Sequence, residues 1–312
     1  MTQASQPLTV APHGVYGAAL TPLDADLKPD PRAAAAHCRW LLAHGCDGIG
    51  LLGTTGEANS FALTERLDLI AGVIGAGIPA ERLIIGTGCC AIPDTVRLTE
   101  AAIEAGAAGV LVLPPFYYKG IGDDGLFAAF AAVIEAVGDS RLKLYLYNFP
   151  AMTGIGLGLD LVVRLHQAYP DTVVGLKDSS GDWAAMKAIL DALPGFGLFS
   201  GTEQYLLACL EAGGAGTISA TVNLTSVPCG EVYRAWREDP PTAQPLQEAL
   251  TVARLLVQGY PLVPALKEIM ARHTSEPGWR RLRPPLTPLP GETADKLWRE
   301  FTASGFTLAA AA

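Results

Sequence analysis

Apolar residues in this chain gather into short runs that stop abruptly at Gly, Thr, Pro or Asn, and each run is followed by a longer stretch of helical period. Short apolar runs rich in β-branched and aromatic residues, bounded in this way, predict strands. Eight read so: GVYGAAL (14–20), DGIGLLG (47–53), RLIIGTG (82–88), GVLVLPP (109–115), KLYLYN (143–148), VVGLK (173–177), GLFSG (197–201) and GTISA (216–220). Between them lie Ala- and Leu-rich segments such as PRAAAAHCRWLLAHG, LTERLDLIAGVIGAG, PDTVRLTEAAIEAGA and EQYLLACLEAGG. Several close on Gly, the residue that takes the left-handed conformation ending a helix. Eight strands in succession, each with a helix behind it, predict an α/β protein built as a (β/α)8 barrel rather than an open sheet.

The pattern divides the chain into a flexible start (1–13), a barrel (14–223) and a C-terminal helical extension (224–312). The extension is read from SVPCGEVYRAWRED, QPLQEALTVARLLVQG, VPALKEIMARHT and TADKLWREFTASG, interrupted by RRLRPPLTPLPG. No linker composition separates it from the barrel, so it is expected to pack there, while the closing TLAAAA is expected to fray. One motif speaks for a rival fold. Gly86-Thr87-Gly88-Cys89-Cys90-Ala91 matches G-x-G-x-x-A between a strand and a helix, as in dinucleotide-binding domains. It sits on the third unit, however, and the next strand ends in LVLPPF with no acidic residue to hold a ribose.

Composition narrows the function classes. Half of the 312 residues are hydrophobic and 17% are charged, as in a globular protein. A net charge of −9 without any Lys/Arg run speaks against a nucleic-acid partner. An anionic substrate would therefore need a local trap. The six cysteines form no C-x-x-C pair and the five histidines show no ligand spacing, so no metal and no cofactor is expected. Cys89 and Cys90 are read as small apolar filler at a strand end, with a redox or metal pair as the alternative. The opening MTQASQPLTVAPHG lacks the basic start and apolar core of a secretory leader, and no apolar run reaches the roughly 18 residues of a membrane span. A cytoplasmic protein with no membrane partner is the expectation.

Barrel active sites lie at the C-terminal ends of the strands, and that rule sorts the candidates. Of seven lysines, Lys177 alone ends a predicted strand. Side-chain period two puts Val173, Gly175 and Lys177 on one face. If that face points inward, Gly175 leaves room beneath the lysine stem, and desolvation favours a nucleophilic amine for a carbonyl substrate. The alternatives are a lysine reaching solvent or pairing with Asp178. The second strand ends in GTTGE (53–57), two hydroxyls and a run of N–H groups able to hold a carboxylate, or else an ordinary loop capping the helix that starts near Thr64. The fifth ends in YLYNFP, placing Tyr147 beside the sixth strand, where a phenol can carry protons for Schiff-base chemistry or simply pack.

GTTGE, Y-N-x-P and G-L-K-D, together with LPPFYYKG, SGTE, GTISATVN, PLVPALKEIM and RPPLTPL, resemble the dihydrodipicolinate synthase / N-acetylneuraminate lyase family of class I aldolases. The resemblance runs through nearly the whole chain. It implies a (β/α)8 TIM barrel with a helical extension, assembled as a homotetramer (a dimer of dimers), and a small-molecule substrate that is pyruvate or a 2-keto acid. By that resemblance Lys177 is the Schiff-base lysine, Thr54 and Thr55 bind the pyruvyl carboxylate, and Tyr147 transfers protons. Tyr117 resembles the tyrosine lent across a dimer interface to a Tyr147–Thr54–Tyr117 relay, with Phe116 and Tyr118 left open by the FYY run. Gly201 and Ile218 resemble positions lining the pyruvate pocket.

One position departs from the pattern. Dihydrodipicolinate synthases typically carry an arginine two residues after the proline of Y-N-x-P, where it grips the carboxylate of the aldehyde substrate. Here that position is Met152, whose thioether makes no charge-assisted bond. The run Ala-Met-Thr-Gly looks closer to 2-keto-3-deoxy sugar-acid aldolases. The expectation is thus a cofactor-free Schiff-base lyase, an aldolase or a dehydratase, acting on pyruvate or a 2-keto-3-deoxy sugar acid. Dihydrodipicolinate synthase itself is the alternative within the class, and a non-catalytic keto-acid sensor the alternative outside it.

Overall fold

The computed structural model describes residues 11–310. Eight parallel strands close on themselves in sequence order: β1 (Gly14–Ala18), β2 (Gly48–Leu51), β3 (Leu83–Gly86), β4 (Gly109–Val112), β5 (Leu144–Asn148), β6 (Val173–Asp178), β7 (Gly197–Ser200) and β8 (Gly216–Ser219). Helices α1 (Pro31–Ala43), α2 (Leu63–Gly75), α3 (Ile92–Glu104) and α4 (Asp123–Val137) follow the first four strands. A short α5 (Pro150–Thr153) precedes α6 (Leu159–Ala168), and then come α7 (Trp183–Ala192) and α8 (Leu206–Glu211). The extension contributes α9 (Val222–Glu238), α10 (Pro240–Gln258), α11 (Leu262–Thr274) and α12 (Gly291–Ala303). The protein is therefore a TIM barrel with a helical C-terminal segment, and the open dinucleotide fold is excluded. Residues 1–10 of the expected flexible start lie outside the described residues.

Local chemistry explains where the helices begin. Before α1 the Asp30 carboxylate accepts from the Arg32 and Ala33 N–H groups at 2.9 and 3.1 Å, and Pro31 occupies the first turn, where no N–H is needed. Gly138 ends α4 in the left-handed region, φ 57°.

Two apolar layers result. Outward-facing strand residues such as Ile49, Ile85, Leu146 and Leu176 meet the helices. Inside the barrel lie Tyr16, Ile84, Leu111, Tyr145, Tyr147, Phe199 and Ile218. Tyr145 spans the interior at the level of three glycines: a Cβ at Gly175 would overlap its ring, one at Gly109 would come within 2.8 Å and one at Gly197 within 3.2 Å.

Two expectations for β6 are corrected here. Leu144 pairs with Val173 but Tyr145 pairs with Gly175, so Val174 is an extra residue that interrupts the alternation. Val173 consequently belongs to the outer layer, while Gly175 and Lys177 turn inward. The room that Gly175 leaves is filled by Tyr145, not by the lysine stem.

The extension packs on the ends of β1 and β8, where Leu20, Ala220 and Leu224 join Leu266, Ile269, Leu297 and Phe301. Its chain end is held further than expected: Trp40 Nε1 donates to the Ala310 carbonyl at 2.8 Å, and His273 Nε2 lies 2.8 Å from that of Ala309. Among the described residues no single helix is long and apolar enough to cross a membrane.

Candidate active site

Tyr147 and Lys177 are direct partners in the β5–β6 register, and both side chains point into the barrel near its C-terminal end. Lys177 is 3% exposed. Its Nζ donates to the Tyr147 hydroxyl at 3.2 Å and lies 4.4 Å from the ring centroid, a cation–π distance. Pairing with Asp178 is ruled out by geometry. The next residue on a strand faces the other way, and the Asp178 carboxylate accepts from Asn148 Nδ2 at 2.7 Å and from the Ser180 N–H at 2.8 Å. Asn148 Oδ1 in turn accepts from the Leu157 N–H at 3.0 Å, tying β5, β6 and the loop before α6 together.

The GTTGE turn folds on itself. Gly56 N and Ala58 N donate to the Gly53 carbonyl at 3.1 and 3.3 Å, and Glu57 N to that of Thr54 at 3.1 Å. It does not cap α2, whose N-cap is Ala62, with the Ala62 N–H donating to Glu65 Oε2 at 2.8 Å. The turn is anchored from behind instead. Glu57 adopts φ 58°, its buried carboxylate pairs with the buried Lys267 ammonium of α11, and it also accepts from Arg283 N at 3.0 Å. Thr55 is 7% exposed. Thr54 Oγ1 is buried without a hydrogen-bond partner, and Thr54 and Tyr147 both line one small void of about 10 Å³.

The remaining predicted positions divide. Ile218 is fully buried in the interior layer beside Tyr147. Gly201 N donates to the Asp178 carbonyl at 2.6 Å, and a Cβ there would overlap Ser179 Oγ, so glycine lets β7 close against the end of β6. Met152 lies on α5 at the rim and is 64% exposed. Tyr117 is not brought to Lys177 within the chain: it is 74% exposed and stacked edge-on against Tyr118, whereas Phe116 turns inward against the interior layer. Lys119 straps this loop down, donating to the Phe116 carbonyl and, at 2.5 Å, to that of Thr153 on α5.

Lys119 and Arg66 are among the residues that escaped the sequence reading. Lys119 stood in view in LPPFYYKG without an assigned role. Arg66 occupies the apolar stripe of α2, three residues before Leu69, and is 4% exposed. It donates to Cys89 Sγ at 3.0 Å, so Cys89 is not filler, and Cys90 is exposed. A larger cavity of about 390 Å³ lies between α1 and the segment after α11, bounded by His37, Trp40 and Trp279. It includes none of the candidate residues, and chemistry rather than volume identifies the site.

A buried amine and a phenol on adjacent strand ends, beside a polar turn, define a barrel lyase of the class I type. The chain belongs to the dihydrodipicolinate synthetase family, whose pattern matches residues 11–304. It is 35% identical over 283 residues to an uncharacterized DapA-like lyase of Chloroflexus aurantiacus, covering 90% of this chain and 93% of that one. It is 31% identical over 301 residues to the 4-hydroxy-tetrahydrodipicolinate synthase of Methanopyrus kandleri, covering 94% and 96%. Its structure is similar to that of dihydrodipicolinate synthase from Agrobacterium tumefaciens, with TM-score 0.85, 32% identity and coverage of 93% and 99%.

Proposed function

We propose that Lys177 forms a Schiff base with the C2 carbonyl of pyruvate or a related 2-keto acid. The observation that carries this reading is the buried Lys177 Nζ 3.2 Å from the Tyr147 hydroxyl with no carboxylate engaged. The amine adds to C2 to give a carbinolamine. Tyr147 hands a proton to the departing hydroxyl, which leaves as water, and the iminium remains. Loss of a C3 proton gives an enamine, whose C3 attacks an aldehyde carbonyl to form the new carbon–carbon bond. Water then hydrolyses the iminium and frees Lys177. The reverse order cleaves a 2-keto-3-deoxy acid. Thr54 and Thr55 supply hydroxyl and N–H donors for the substrate carboxylate, with Gly201 and Ile218 shaping the pyruvyl pocket.

Tyr117 completes the proton relay from a second copy of the chain, because in its own chain it faces outward with Tyr118 and Ile121 as an exposed apolar patch. A homotetramer, a dimer of dimers, is the assembly proposed. Free thiols at all six cysteines suit a cytoplasmic setting.

For the second substrate, Met152 favours a sugar-acid or hydroxyaldehyde reaction over aspartate semialdehyde, as no guanidinium stands there to hold a carboxylate. The name borne by the Methanopyrus kandleri relative favours the second reading, 4-hydroxy-tetrahydrodipicolinate synthase. Borohydride with pyruvate tests the shared core. A single reduced pyruvyl adduct on the peptide bearing Lys177 is expected, and an adduct elsewhere or none overturns the assignment. Pairing pyruvate with a panel of aldehydes, with and without a carboxylate, then separates the two readings.

A further inference from the structure

The loop that carries Tyr117 has little backbone structure to hold it. Among the described residues, no backbone–backbone hydrogen bond involves residues 114–120, between the end of β4 and the start of α4. Phe116 packs inward against the interior layer, and the hydrogen bonds of this stretch come from the Lys119 ammonium. Lys119 Nζ donates to the Phe116 carbonyl and, at 2.5 Å, to the Thr153 carbonyl that ends α5. Gly154 follows at φ 67°, and a Cβ there would come 3.3–3.5 Å from Lys119 Cδ, Cε and Nζ. Glycine at this point thus serves the left-handed turn and also leaves the lysine stem its path.

We infer that Lys119 is a positioning residue that holds Tyr117 of its own chain for use in the site of a second copy. The argument turns on which carbonyl the ammonium grips. The Phe116 carbonyl belongs to the peptide unit that joins Phe116 to Tyr117, and that unit is a rigid plane. Fixing its oxygen fixes the direction in which the Tyr117 backbone sets out. Packing within the chain does not do this, because Tyr117 and its edge-on neighbour Tyr118 are both exposed. A phenol that must meet groups on another chain therefore takes its aim from the backbone, and a small rotation of the 116–117 plane swings the distant hydroxyl through a wide arc. The other end of the clamp, Thr153, lies on the helix that bears Met152, so the rim of one site is tied to the phenol used in the next.

This inference rests on the role proposed for Tyr117, and the test separates the two. Mixed oligomers are assembled from two differently tagged chains, one of which carries Lys177→Ala, so that only the other chain's lysine reacts. Enamine formation exchanges the pyruvate methyl protons with solvent, and loss of the methyl proton signal in deuterium oxide reads that step without any aldehyde. Lys119→Met is placed either in the Lys177→Ala chain or in the chain that keeps Lys177. Exchange is expected to fall about 10- to 100-fold, the effect of a small misplacement, only when Lys119→Met sits in the Lys177→Ala chain. Tyr117→Phe in the same two arrangements gives the reference pattern. Added to Tyr117→Phe in one chain, Lys119→Met should cost nothing further, because the hydroxyl it places is gone. Equal losses in both arrangements, or a loss confined to the chain that keeps Lys177, assign Lys119 to its own site and overturn the inference. No loss in either arrangement, while Tyr117→Phe still acts across chains, overturns it as well. Tyr117→Phe without effect across chains strikes the relay, and the inference falls with it. Should Lys119→Met fail to assemble, Lys119→Gln, a neutral donor of shorter reach, is read in the same arrangements by the same criteria.

Discussion

The Tyr147 hydroxyl lies 3.2 Å from Lys177 Nζ because Tyr147 and Lys177 sit opposite each other in the β5–β6 ladder. Position and contact are thus both fixed by backbone pairing, not by a mobile loop. Tyr147→Phe keeps the ring that stacks at 5.8 Å on Phe149 and loses only the proton carrier. Schiff-base formation with pyruvate should slow by about 10²–10⁴-fold, the range of general acid–base catalysis, while the adduct still maps to Lys177. The rate of borohydride-trapped adduct measures it, and an unchanged rate would remove Tyr147 from the mechanism.

On the proposed reading, Met152 bears on the choice of second substrate. A carboxylate at this rim position would forgo a charge-assisted bond worth about 1.5–3 kcal/mol, so wild type should favour uncharged hydroxyaldehydes over aspartate semialdehyde by roughly 10- to 150-fold. Met152→Arg should recover part of that deficit in kcat/KM for the semialdehyde. Efficient semialdehyde condensation by the wild type would show that another group holds the carboxylate.

The Glu57–Lys267 pair lies wholly inside the protein, its side chains 0% and 1% exposed. Burial pulls the Lys267 ammonium below its ordinary range while Glu57 opposes the shift. Lys267→Met leaves a carboxylate buried without its cation and should cost about 3–5 kcal/mol in urea unfolding. Adding Glu57→Gln should return part of the loss, since the uncompensated charge is then gone.

Acid should weaken the fold through His37. Its Nε2 donates to Asn223 Oδ1 at 2.7 Å, an oxygen that also accepts from Leu20 N, and burial lowers its pKa from 6.5 to about 4. Between those values the unfolded chain takes up a proton that the native state refuses, so stability falls as pH drops through this window and is unaffected above it. About 2 kcal/mol should be lost by pH 5. Glu65 and Glu268, held below the usual carboxylate range by arginines, act only at lower pH. Melting temperatures at pH 7 and 5 should therefore differ less in His37→Gln than in wild type.

Gly175→Ala probes the floor of the site. Its Cβ would overlap the Tyr145 ring and the Gly197 carbonyl, and overpacking of this kind costs about 1–3 kcal/mol. Thermal unfolding should show the loss, and Schiff-base formation should slow as the inward part of β6 shifts Lys177.

Much of this was legible along the chain. All eight strands fall within the runs delimited by Gly, Thr, Pro and Asn, apart from the last residue of β6, because those residues terminate pairing locally. Lys177 and Tyr147 were readable for the same reason: a strand end has a face and a direction. Val173 was misplaced because one unpaired residue, Val174, reverses the alternation, and nothing local distinguishes it. Tyr145 beneath Gly175 and Lys267 behind Glu57 were illegible, as such contacts join residues with no shared periodicity. Arg66 did leave a trace, a charge in the apolar stripe of α2, whose partners Gly86 at the end of β3 and Cys89 just beyond it only folding reveals.

Glu57 emerges from the ribosome 210 residues before the lysine that neutralises it. At ~5–20 residues per second, that is a wait of roughly 10–40 s. Throughout it the turn carrying Thr54 and Thr55 has no settled seat, since its carboxylate cannot be withdrawn from water alone. The barrel strands can pair as they appear, but the turn that follows the second of them takes its final form only as synthesis nears its end.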